Sequence, residues 1–242
     1  MNTPERNALP NFSLSIPILY EDSQLLILNK PSGTPSAPIQ AEETQTATNF
    51  AVGYFPLLAE IGRRGLEPGL LHRLDTGTSG ALVFAKTQSE FERLLTLWKK
   101  HEVRKIYRAI VKNEEARHLP QEITFPLAHD AKSSKRMISL VPSKKRKFRG
   151  KPLPAETRIL AALPLSSQNL LDVEVQIKTG VMHQIRCHLA SVGFPILGDP
   201  IYRGEKADRL FLHAWKIGFP LASGEFFECE APLPEEFIKI SQ

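Results

Sequence analysis

The stretch HRLDTGTSGALVFAK, His72–Lys86, joins a polar turn to a short apolar run. Its first nine residues place a carboxylate, Asp75, beside an imidazole, a guanidinium and three hydroxyls. The run Ala81–Lys86 has the length and composition of a buried strand. Upstream, GLEPGLL (Gly65–Leu71) brings the chain in through a Pro68-Gly69 turn signal. Asp75 is thus expected on a turn anchored by a rigid strand, an arrangement that can project a side chain into a cleft. Alone, an Arg-x-Asp at a turn is more often a surface ion pair or an Asp bonded to its own backbone.

Working outward, IPILYEDSQLLILN (Ile16–Asn29) reads as two short strands about an Asp-Ser turn. KPSGTPSAPIQ (Lys30–Gln40), with three prolines, must be a loop. Ala47–Ile61 has helical spacing divided at Pro56. Thr87 with Glu90 matches a capping box for a helix carrying Phe91, Leu94, Leu95 and Trp98 on one side. RKIYRAIVK (Arg104–Lys112) and Arg158–Leu163 read as strands. LDVEVQIK (Leu171–Lys178) alternates as a half-buried antiparallel strand with a charged outer face. Met182–Val192 is expected to form a helix stopped by Gly193, with Ile185, Leu189 and Val192 as its apolar stripe and His183 and Arg186 sharing another face. Met1–Ser13 reads as a mobile tail, and short strands and proline-bearing loops close the chain.

With 242 residues and 42% hydrophobic content the chain can build a full core. Cys187 and Cys229 show neither CxxC spacing nor a disulfide framework, which suits a reducing compartment, and a cytoplasmic location is expected. No apolar run approaches the roughly 18 residues of a membrane span, and MNTPERNALP lacks a signal-peptide pattern. Of the 31 Lys and Arg residues, nine fall between Ala131 and Ala155 with no acid among them. The rest of the chain then holds 22 bases against 26 acids. A basic arm on an acidic body points to a polyanionic partner, because cations displace counterions from phosphates. A solvated loop is the plainer alternative.

Four motifs occur in order: NKPSGTPSAP (Asn29–Pro38), HRLDTGTSGALVFAK, KIYRAIV (Lys105–Val111) and HQIRCHLASVGFPILGDPIY (His183–Tyr202). Together they resemble the RluA family of pseudouridine synthases over nearly all of the chain after the tail. The resemblance implies that Asp75 is the catalytic aspartate, Tyr107 the tyrosine that stacks on the target base, Arg186 the basic partner of the aspartate, and Arg73 the residue that fills the gap left by a flipped base. It departs from the family pattern TGRTHQIR at Val181 and Met182, where a usual arginine is missing. The family's small accessory RNA-binding domain is expected to be absent ahead of the first motif, with the basic arm partly replacing it.

The implied fold is α+β: a mixed, mainly antiparallel bent sheet with flanking helices, in two lobes around a cleft. One catalytic domain is expected over residues 14–242, with a basic insertion at 131–155. The implied activity is conversion of uridine to pseudouridine in a tRNA or rRNA stem-loop, after the nucleotide is flipped out. Candidate RNA contacts are His72, Arg73, Arg63, Arg64 and His183 near the motifs, and Lys135, Arg136, Lys144, Lys145, Arg146 and Lys147 in the arm. No cofactor is needed by a reaction that moves no electron or external group. No metal is expected, since His72, His183, His188 and His213 lack ligand spacing, and the protein is expected to act as a monomer without a membrane. A noncatalytic RNA-binding factor on the same fold is the competing reading.

Overall fold

The computed structural model describes residues 7–63, 65–113, 118–165 and 169–241. In chain order the elements are β1 (Ile18–Glu21), β2 (Leu25–Lys30), α1 (Ala47–Tyr54), β3 (Gly62–Arg63), β4 (Glu67–Pro68), β5 (Ser79–Ala85), α2 (Gln88–Lys99), β6 (Arg104–Lys112), β7 (Glu122–Ile123), β8 (Leu127–Asp130), β9 (Met137–Ser139), β10 (Phe148–Leu153), β11 (Thr157–Pro164), β12 (Leu170–Ile177), α3 (Gln184–Ser191), β13 (Leu212–Pro220), β14 (Phe226–Glu230) and α4 (Glu235–Ser241). They divide into two compact units, Met1–Val103 with Lys216–Pro232, and Arg104–Trp215 with Leu233–Gln242. The chain is α+β, and each strand pairing described within a unit is antiparallel.

In the first unit β2 lies between β1 and β5. All seven residues of β5 are buried, as an uninterrupted SGALVFA run requires of a central strand. Leu26↔Phe84 and Leu28↔Leu82 are cross-strand pairs, and all four are fully buried. Pro56 splits the expected long helix into α1 and a single 3-10 turn over Pro56–Glu60. Thr87 caps α2 by accepting from the Glu90 amide, but the Glu90 carboxylate holds Arg93 instead of closing the box. α2 then buries Phe91 and Leu94.

Part of the expected mobile tail is docked. The Ala8 amide donates to the Gly65 carbonyl, the Asn11 amide to that of Asn49, and the Asn49 side chain to that of Leu9. These backbone partners lie 38 to 57 residues away, beyond the reach of local pattern reading.

In the second unit β12 runs between β6 and β11 with Val175 opposite Tyr107. Its alternation holds with one exception: Asp172, on the supposedly charged outer face, is buried against Arg108. The basic arm is not a loop throughout. β9 and β10 flank β8 in a three-stranded sheet, with Met137 and Ile138 buried while residues 142–150 are exposed. Leu127, Met137, Ala155, Cys187 and Tyr202 form a small core there, and Val181 packs against it. The position where the related pattern carries arginine therefore does packing work in this chain. No helix among the described residues is long and apolar enough to cross a membrane.

Candidate active site

Asp75 sits half-buried on the turn between Leu71 and β5, and the turn is tied down through its backbone. Ser36 closes a two-way bridge to Leu74: its Oγ donates to the Leu74 carbonyl at 2.8 Å and accepts from the Leu74 amide at 2.9 Å. The Lys30 ammonium, fully buried at the end of β2, donates to the carbonyls of Pro31, Thr34 and Thr76 at 3.0, 2.6 and 3.2 Å. Gly33 N–H donates to the same Thr76 carbonyl, Ser32 Oγ donates to that of Gly77, and the Thr78 amide closes the turn on the Asp75 carbonyl. Gly33 meets this role at φ +88°, a backbone region that disfavours other residues. The proline-rich loop after β2 thus works as a clamp around the residues on both sides of Asp75.

The turn's other side is held by His72. Its Nε2 accepts the Val83 amide at 3.3 Å, and its ring stacks on Trp98 with centroids 5.5 Å apart. Here His72 acts as a brace. The next residue, Arg73, points outward at 71% side-chain exposure and rests on Glu67 at 3.1 Å, which Arg63 also approaches at 3.5 Å. Exposed pairs of this kind hold with about 0–1 kcal/mol, so Arg73 can leave Glu67 readily. Arg64 lies outside the described residues.

In the second unit Tyr107 is buried in β6 and Arg186 is buried on α3. Arg186 makes a two-pronged pair with Asp199, Nε to Oδ2 at 2.7 Å and Nη2 to Oδ1 at 2.9 Å. Burial alone would raise the Asp199 carboxyl pKa. The hydrogen bonds and charge of Arg186, with the amides of Ile201 and Tyr202 on Oδ1, outweigh it and hold the carboxyl below its ordinary value. Gly198 fixes the approach of Asp199: it lies at φ +76°, and a Cβ there would run into the Arg209 carbonyl.

Tyr202 is the hub around which several expected site residues gather. Its hydroxyl accepts from the Met137 amide at 2.9 Å and meets His183 Nδ1 at 3.1 Å. The guanidinium groups of Arg186 and Arg136 lie 5.4 and 5.6 Å from its ring centroid. His183 is not on the helix with Arg186, as the spacing suggested. It is the residue before α3 and adopts a left-handed conformation at φ +56°. The exposed members of the arm, Lys135, Lys144, Lys145, Arg146 and Lys147, surround this end of the unit as a cationic fringe.

Lys105, two residues before Tyr107, is also buried. It donates to the carbonyls of Lys178 and Thr179 at 3.1 and 3.4 Å, holding the turn that leads into α3. Desolvation lowers its pKa to about 8. A folded-state pKa below the unfolded value means that the unfolded chain binds more protons between about pH 8 and 10.4, so this group's contribution to stability rises across that window. The buried thiol of Cys187, raised to about 12, acts in the opposite sense. Comparison with Lys105→Met isolates the lysine. Urea unfolding at pH 7.5 and 9.5 should move the stability difference between parent and variant by about 1–2 kcal/mol in the parent's favour. A pH-independent difference would mean that Lys105 titrates as an ordinary lysine.

Lys30 and Ser36 hold the Asp75 turn, and Asp199 and Tyr202 hold Arg186 and His183, roles that the sequence pattern does not point to. A lysine closing an apolar LLILNK strand and an aspartate in the same motif as Arg186 were the available signals.

The family model for RNA pseudouridylate synthase matches residues 24–191. An uncharacterized RNA pseudouridine synthase of Synechocystis sp. is 32% identical over 99% of this chain and 73% of its own length. The ribosomal large subunit pseudouridine synthase D of Zymomonas mobilis is 32% identical over 92% of this chain and 71% of its own. In fold, the chain is similar to human RNA pseudouridylate synthase domain containing 1, with a TM-score of 0.70 at 22% identity over 93% of this chain and 86% of that one.

Proposed function

The chain belongs to the RNA pseudouridylate synthases, the RluA family that its four motifs resemble, and from that premise we propose that it modifies a uridine in a loop of ribosomal RNA, with Asp75 as the reacting group. The family's reaction isomerises uridine to pseudouridine. In atoms, the bond from ribose C1′ to uracil N1 breaks, the uracil turns, C1′ bonds to C5, the C5 hydrogen leaves as a proton, and N1 takes up a proton. Electrons and atoms balance without any co-reactant. Asp75 acts at the ribose, as nucleophile or as base.

The observation that carries this reading is the clamp: five hydrogen bonds with Lys30, Ser32, Gly33 and Ser36 fix the backbone of residues 74, 76 and 77 around one partly exposed carboxylate. A turn with only a solvated surface carboxylate has no need of a buried lysine beneath it. The family resemblance gives Tyr107 the role of stacking on the flipped base and Arg186 that of the basic partner of the aspartate. Arg73, exposed and loosely held, enters the gap in the RNA stack. Flipping costs a few kcal/mol and least in a loop, which favours a loop uridine. Ribosomal RNA is supported over transfer RNA by the relatives named for the large ribosomal subunit. The two free, buried cysteines suit the cytoplasm, and the reading takes the monomer as the active form.

The test is tritium release from RNA labelled at uridine C5, using RNA from cells that lack the gene and with chelator present. Release is expected with ribosomal RNA, in a 1:1 ratio to pseudouridine formed. Tight RNA binding without release would replace this reading with that of a noncatalytic RNA-binding factor.

A further inference from the structure

We propose that the pocket between β9 and α3 is a binding site for a single phosphate group, separate from the Asp75 turn. It encloses about 180 Å³. That is below the roughly 300–1,000 Å³ of pockets that take drug-sized molecules. A phosphate with a few waters fits. Four cationic side chains line it, Arg136, Lys144, Arg146 and Arg203, and no carboxylate does so among the described residues. Asp130 comes nearest, 4.0 Å from Arg136 Nε and outside hydrogen-bond range.

Two polar atoms there make no hydrogen bond. Ser139 is 6% exposed and lines the pocket, yet its Oγ makes no hydrogen bond, and neither does the buried Nε of Arg136. Buried polar atoms are nearly always satisfied, so two orphans in one cationic pocket point to an acceptor that completes them. The pocket supplies no anion of its own. The thiol of Cys187 is pushed up to about 12 by burial, only partly offset by Arg136 and Arg146, and the Tyr202 hydroxyl is likewise raised by burial, so both stay neutral near pH 7. Arginines with no carboxylate in hydrogen-bond range are suited to phosphate, which they can grip with two parallel hydrogen bonds.

The phosphate can come from the RNA backbone or from solution, and only the RNA source rests on the isomerase reading above. The full chain is titrated calorimetrically with inorganic phosphate at constant ionic strength, as parent, Ser139→Ala and Arg146→Gln. Saturable binding is expected in the parent, weakened about fivefold by Ser139→Ala and about tenfold by Arg146→Gln. Because Ser139 Oγ has no protein partner, Ser139→Ala should melt no lower than the parent without phosphate, which separates binding from folding. With a hairpin RNA, Arg146→Gln should flatten the salt dependence by about 0.7–0.9 in slope. Competition between phosphate and RNA at matched ionic strength assigns the site to the RNA backbone; saturable phosphate binding without competition assigns it to free phosphate. A parent that shows no saturable phosphate binding, or variants that match the parent in phosphate binding, would reduce the pocket to a water-filled cavity and overturn the proposal, even if tritium release succeeds. Failure of tritium release with phosphate binding intact would overturn the isomerase reading and leave the pocket standing.

Discussion

Asp75→Asn is expected to abolish isomerisation, with tritium release falling by at least about 10⁴-fold, the scale seen when a residue essential to chemistry is removed. RNA affinity should stay within about twofold of the parent, and the melting temperature should move by only a few degrees. The reason lies in how the turn is held. Ser36, Lys30, Gly33 and Ser32 bond to carbonyls and an amide of Leu74, Thr76 and Gly77, and the turn is closed on the carbonyl oxygen of residue 75. All of these contacts are to backbone and survive the exchange of a carboxylate for an amide of the same shape. The substitution removes charge and nucleophilicity while keeping the loop. Single-turnover assays with excess enzyme read the chemical step, and a filter-binding curve on the same RNA reads affinity. An Asp75→Asn protein that still releases tritium near the parental rate would remove Asp75 from the chemistry.

The same turn shows where sequence reasoning reaches and where it stops. The run Ala81–Lys86 is legible as a buried strand from its length and composition, and the Thr87 cap, the break at Pro56 and the alternation of β12 follow from equally local rules. The polar contacts that make the site work are nonlocal. Ser36 reaches Leu74 across 38 residues and Lys30 reaches Thr76 across 46. A lysine at a strand end reads as solvent-facing by default, since burying its ammonium is costly unless carbonyls receive it. Nothing in the local pattern shows that three carbonyls will. The basic arm hid its strands for a related reason. Met137 and Ile138 are a short apolar pair among cations, and their burial depends on pairing with Ala128 and His129 and on packing near Tyr202. The chain ends in a helix where short strands and proline-bearing loops are expected, although its signals are local: Pro234 ahead of it, Glu235 and Glu236 in its first turn, and Lys239 pairing with Glu235 one turn on.

Removing Arg186 from the Arg186–Asp199 pair is expected to cost about 3–5 kcal/mol of stability, because the Asp199 charge would be left buried without its guanidinium. Asp199 is fully buried and Arg186 nearly so, so solvent screens neither. Asp199→Asn and Arg186→Leu should each lower the urea midpoint substantially. Arg186→Leu combined with Asp199→Leu should lose much less than the sum of the corresponding single losses, since the second substitution removes the charge that the first strands. The pH dependence supplies a separate check. The Asp199 carboxyl is held below its ordinary value, so its contribution is fully present above the unfolded pKa of about 3.9 and is lost as pH falls through the folded value. The parent should therefore lose stability faster than Asp199→Asn below about pH 4. Asp199 touches no reacting atom in this scheme; it positions Arg186. Its loss should lower the turnover of molecules that remain folded at low temperature, with little change in KM, because the orientation of the guanidinium matters to the chemical step more than to RNA docking. Asp199→Asn with parental turnover per folded molecule would make the pair purely structural, and strictly additive stability losses would deny that the two charges depend on each other at all.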